Sequence, residues 1–97
     1  MIIVHDIFIC KPGNASKVAK MFKEAMAGSP EVLYVMTDRV GQYNKVVMVS
    51  KYESLTEFDS FMHKYMEQSE EMKKMQEKMA GYTDLYLTGS REIYQTW

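Results

Sequence analysis

The segment IIVHDIFIC, residues 2–10, carries apolar side chains on both of its period-two faces: Ile3/His5/Ile7/Ile9 on one, Val4/Asp6/Phe8/Cys10 on the other. That pattern predicts a strand in a sheet covered on both sides, closed by a turn at Lys11-Pro12-Gly13. Val18, Met21, Phe22 and Ala25 then recur at helical spacing, so a helix capped by Asn14 and stopped by Gly28 and Pro30 is expected. Alternation resumes over 31–40 and 45–52, with Gly41-Gln42-Tyr43-Asn44 between. Two strands joined by so short a link form an antiparallel hairpin.

Ser54-Leu55-Thr56-Glu57 has the spacing of a capping box, in which the serine oxygen and the glutamate satisfy amides at a helix start. The helix it opens should run to Ala80, with a break near Gln68–Ser69, and end at Gly81. A last strand is expected over 83–94, with a bulge or bend at Gly89. The order βαββαβ makes residues 1–97 one ferredoxin-like α+β domain, with a four-stranded antiparallel sheet and two helices on one face. The uncovered face would then offer isoleucine, valine, tyrosine and methionine to water. A patch of that kind marks an interface, so a homodimer packed through the sheet face is expected.

Composition narrows the partners. Formal net charge is −1 with the signs interspersed, which leaves no electrostatic footprint for nucleic acid. The longest apolar run, MIIVH, falls far short of the roughly 20 residues that span a bilayer, and the N-terminus lacks signal-peptide features. Neither nucleic acid nor membrane is therefore expected as a partner. Cys10 stands alone, which excludes an internal disulfide, fits a reducing cytoplasm and reads as a small buried hydrophobe.

Five methionines and His63 fall within residues 62–81, a composition that raises a soft-metal site as one reading. However, Phe58, Phe61/Met62, Tyr65, Met72, Met75 and Met79 form one helical stripe mixed with aromatics, while Glu67, Glu70, Glu71, Lys73, Lys74, Glu77 and Lys78 fall largely outside it. The stripe is therefore read as core, with methionine as gap-filler. Only two histidines exist, His5 and His63, and no spacing supplies zinc ligands. No metal and no cofactor is expected. His63 has an i,i+4 partner in Asp59.

The run from Gly41 to Phe58, GQYNKVVMVSKYESLTEF, resembles the hairpin-to-helix segment of the NIPSNAP-like branch of the dimeric α+β-barrel superfamily, through Gly41, Asn44, Val46, Val47, Tyr52, Ser54 and Leu55. Lys11-Pro12-Gly13 is similar to the turn of the same superfamily, including its antibiotic-biosynthesis monooxygenase branch. The resemblance implies a homodimer whose two sheets form a barrel, with a small-molecule pocket beside each sheet. Where the metal-free monooxygenases carry a strand-end tryptophan, this chain has Tyr52, or Ser50 in the NIPSNAP-like register. Their early helix histidine would fall near Phe61, two positions before His63, and the one tryptophan here is Trp97.

The function expected is thus a NIPSNAP-like homodimer holding a small apolar or aromatic ligand. The alternative is a cofactor-independent monooxygenase acting on an aromatic or polyketide-like substrate. The pocket is expected between the sheet and the 54–80 helix, lined by Tyr65 and Met66 and, from the sheet, by Tyr34 and Tyr86. His63 and His5 are the candidate proton carriers. Either His5 or Asp6 faces the pocket, depending on strand register, and Arg39 is a candidate partner for an anionic ligand.

Overall fold

The computed structural model describes residues 1–67 and 69–97. Four strands, β1 (Ile2–Cys10), β2 (Val32–Thr37), β3 (Lys45–Tyr52) and β4 (Tyr86–Gln95), join antiparallel in the order β2-β3-β1-β4. Helices α1 (Ala15–Ala25), α2 (Leu55–Met66) and α3 (Glu70–Lys78) supply the second layer. The expected ferredoxin-like α+β fold is therefore present, with the long second helix divided in two.

Register decides what each face carries. Asp6 pairs with Met48 and Arg91, and Val4 with Ser50 and Ile93. The even-numbered residues of β1 therefore face the helices, together with Val46, Met48, Ser50 and Tyr52. His5 pairs with Val49, which pairs in turn with Tyr34. These three, with Ile3, Ile7, Ile9, Val47, Met36 and Tyr94, lie on the open face. There Tyr34, Met36 and Tyr94 remain exposed.

Two apolar clusters form beneath the helices. Cys10, Val18, Phe22, Ala25, Met26, Val46 and Met79 make the larger, with Phe8, Tyr65, Met75 and Tyr82 packed on it. Ile2, Val4 and Tyr52 make the smaller, covered by Phe58 and Phe61 of α2. Met75 and Met79 thus join the core, as the stripe implied, whereas Met66 projects into solvent with 73% of its surface exposed.

Several local expectations are corrected. Asn14 does not cap α1 with its side chain. Its near-helical backbone (φ −102°, ψ −5°) is unlike the extended geometry of a capping residue, and its carbonyl accepts from Val18 N–H instead. At α2, Ser54 Oγ accepts from Glu57 N–H at 3.2 Å, but the Glu57 carboxylate reaches Glu53 N–H rather than that of Ser54. Ser69 caps α3 by accepting from Met72 N–H; Gln68, the other residue of the expected break, lies outside the described residues. After Gly81, at φ 83°, a 3-10 turn over Tyr82–Asp84 delays the last strand to Tyr86. The irregularity of β4 falls opposite Ile9/Cys10, around Leu87, and not at Gly89. A Cβ at Gly89 would lie 3.3 Å from the Ile7 carbonyl and 3.5 Å from the Phe8 ring, so glycine is kept there by close packing.

β2 stops at Thr37, short of Val40, because Asp38 organises the following loop. Its carboxylate accepts from Lys45 N–H at 2.9 Å and from Tyr43 N–H at 2.6 Å. Those bonds hold Tyr43 and Asn44 at positive φ, 83° and 56°. They also draw the Asp38 carboxyl below its ordinary range, the Lys45 amide contributing most. A carboxyl depressed in the folded state contributes stability above its unfolded value near ~3.9, and loses it as pH falls through the folded value. Asp38→Ala should therefore lower the melting temperature at neutral pH, and the gap to wild type should close as pH drops below about 4. A gap independent of pH would contradict this role.

Candidate functional site

Between the two clusters, under α2, the sheet is not fully covered. A cavity of about 260 Å³ fills that seam, lined by Asp6, Phe8, Phe22, Met26, Val32, Met48, Ser50, Tyr52, Phe58, Phe61, Met62, Tyr65, Met79, Tyr82 and Arg91. Alternate strand residues line it from below and the Phe58/Phe61/Met62/Tyr65 stripe from above, while Phe22, Met26, Met79 and Tyr82 come from helix ends and the turn before β4.

Most of the wall is apolar. Tyr52, 4% exposed, meets Phe58 edge-on at 5.2 Å and Phe61 at 5.7 Å. Tyr82 lies edge-on to Phe22 at 5.5 Å and stacks on Tyr86 at 5.6 Å. Burial pushes the Tyr52 phenol above its ordinary value, with the neighbouring Ser50 hydroxyl opposing the rise. Burial also raises Tyr65, and it raises Tyr82 with help from the nearby Tyr86 and Tyr65. At neutral pH these phenols are protonated, so they offer hydrogen bonds rather than bases.

The charged groups lining the cavity are Asp6 and Arg91. They stand opposite each other on β1 and β4, and Arg91 Nε donates to Asp6 Oδ1 at 2.6 Å. The Arg91 guanidinium also lies 5.2 Å from the centre of the Phe58 ring. Its side chain is 42% exposed, against 13% for Asp6, so the arginine stands nearer the mouth and the carboxylate deeper.

Of the residues singled out from sequence, Asp6 and Tyr65 line this cavity. Tyr86 backs its wall through Tyr82 and Phe8. His5 turns to the open face, edge-on to Tyr94 at 5.3 Å, because adjacent strand residues point to opposite sides. Tyr34 shares that face. His63 is surface-exposed, 3.3 Å from Asp59 one helical turn away. Met66 is exposed as well, and Arg39 lies exposed in the loop after β2. Sequence reasoning did not select Arg91, nor Tyr52 and Ser50 as lining residues. No group of three or more His, Cys, Asp or Glu suited to a metal occurs among the described residues. Cys10 is buried, which raises its thiol and suits a packing role. Among the described residues no helix is long and apolar enough to cross a membrane.

No family model and no curated protein matches the sequence. Solved structures do match the fold. A NIPSNAP family protein from Agrobacterium tumefaciens superposes with a TM-score of 0.79 at 15% identity, covering 97% of this chain and 90% of its own. An uncharacterised NIPSNAP-like domain protein from Burkholderia xenovorans gives 0.79 at 16% identity, covering 99% and 84%. A candidate antibiotic biosynthesis monooxygenase from Deinococcus radiodurans gives 0.61 at 9% identity, covering 100% and 93%. The chain thus has the fold shared by NIPSNAP family and antibiotic biosynthesis monooxygenase-like proteins, as the Gly41–Phe58 resemblance implied.

Proposed function

We propose, for a chain with the NIPSNAP-like fold, that it is a homodimeric binding protein for a small, largely apolar or aromatic molecule held in the seam between sheet and helices. The observation that carries this reading is the cavity itself: an apolar wall interrupted by one ion pair, three tyrosines and a serine. Ligand sites combine apolar walls with a few convergent polar groups, in volumes of roughly 300–1,000 Å³. At about 260 Å³ this one suits a compact ligand. The apolar open face of the sheet supports the homodimer, and the lone buried thiol supports a reducing cytoplasm.

A second reading, metal-free oxygenation of an aromatic or polyketide-like substrate, draws on the monooxygenase-like neighbours. It would use the same cavity, with Asp6 as the lining group able to accept a proton; His5 and His63 lie outside it. Oxygen uptake that depends on substrate in metal-free buffer distinguishes this reading from binding alone.

Binding is tested by thermal shift with uncharged mono- and bicyclic aromatics. Saturating ligand at 100 times Kd should stabilise the wild type by about 2.7 kcal/mol. Met62→Trp, which fills the cavity, should abolish the shift. Met66→Trp at the exposed end of the same helix, Tyr34→Phe and His63→Ala should leave it as Lys74→Ala does. A wild-type shift that survives Met62→Trp would place binding elsewhere and overturn the proposal.

A further inference from the structure

We infer that the Asp6–Arg91 pair sets the charge selectivity of the cavity, favouring an uncharged ligand that carries a hydrogen-bond donor beside an acceptor and disfavouring anions. The inference rests on the seam cavity being a ligand site and names the chemistry that site selects.

An arginine at the mouth of an apolar cavity ordinarily attracts carboxylates. Here its charge is already matched by Asp6, which lies deeper and is the less exposed of the two. An entering anion would share the arginine with a carboxylate at close range, and like charges repel strongly where water is scarce. The pair is joined through Nε and Oδ1 alone. Among the described residues, no hydrogen bond engages the Arg91 Nη groups or Asp6 Oδ2. That leaves donors on one partner and an acceptor on the other, side by side at the cavity wall. A primary carboxamide complements this arrangement: its N–H donates to Asp6 Oδ2 and its carbonyl accepts from Arg91 Nη. Phe58 lies under the guanidinium, 5.2 Å from its central carbon, and helps to hold it at the cavity wall.

The test compares two nearly isosteric probes, 2-naphthamide and 2-naphthoate, by calorimetric titration at pH 7.5, with naphthalene as the apolar reference. Wild type should bind the amide at least about tenfold more tightly than the carboxylate, a difference of about 1.4 kcal/mol. Asp6→Asn keeps the shape and frees the arginine charge, so the preference should reverse in favour of naphthoate. If that variant does not fold, Asp6→Asn/Arg91→Gln removes both charges together and should bring the two affinities to within about threefold, roughly 0.7 kcal/mol. Equal binding of amide and naphthoate by wild type, or a preference unchanged in the folded variants, overturns the inference and leaves the cavity reading standing. Naphthalene binding without either derivative has the same consequence. Failure of all three probes to bind overturns both.

Discussion

Under the proposed sheet-to-sheet assembly, wild type should scatter as twice 11.3 kDa at micromolar concentration, and Val47→Asp should scatter as a monomer. Val47 sits on the open face of β3, paired with Ile7 and Met36, and is half-buried in the single chain. An aspartate there is solvated in a lone chain, whereas a sheet packed face to face would bury it without a partner. Leaving a buried charge unpaired costs about 3–5 kcal/mol. Since each 1.4 kcal/mol is tenfold, the dissociation constant should rise by roughly a hundredfold or more. Lys51 makes the control, being on the same strand face but already exposed and charged; Lys51→Ala should leave the mass unchanged. Wild type that is itself a clean monomer, or a Val47→Asp variant that remains dimeric, would remove the sheet-to-sheet assembly.

Phe22→Ala carries the second large effect. Phe22 is 2% exposed, edge-on to Phe8 at 4.9 Å and to Tyr82 at 5.5 Å, and it closes one wall of the seam. Truncating a buried phenylalanine costs about 3–5 kcal/mol, from lost burial and the void left behind. Natural domains hold only about 5–15 kcal/mol in total, so the urea midpoint should fall steeply while the slope of the transition is kept. A loss under about 1 kcal/mol would mean that the α1 side of the cavity collapses freely on truncation. In that case the seam would be a packing defect rather than a preformed space.

The elements were legible because their signals are local. The capping serine of α2, the period-two run of β1 and Gly81 after α3 each act within a few residues. The Asp38 loop was less so. Asp38 sits in an alternating run and reads as strand until its bonds to Tyr43 and Lys45 are seen. The cavity depended on relations that the linear chain does not display. Both faces of β1 are apolar, so nothing local chose between His5 and Asp6. The choice was made by pairing with β3 and β4. Arg91 lies in the polar stretch Ser90-Arg91-Glu92 and reads as solvated; its partner Asp6 is 85 positions away.

His63 shows the opposite case, where the information was present. Residues two positions apart on a helix are separated by roughly 200° of rotation. With Phe58, Phe61 and Tyr65 facing the sheet, His63 therefore had to face outward; Met66, four residues after Met62 and on its side by helix phase, is exposed at the last residue of α2. Helix phase outweighs proximity in sequence when a lining residue is to be chosen.

The ten methionines allow the central claim to be read directly. With their methyl groups carbon-13 labelled, a titration with naphthalene should perturb the resonances of Met26, Met48, Met62 and Met79, which line the seam. Those of Met36 on the open face and Met66 at the exposed end of α2 should stay in place. Perturbation of Met36 or Met66 with the four seam methionines silent, or no perturbation of any methionine, would contradict a ligand site between the sheet and its helices.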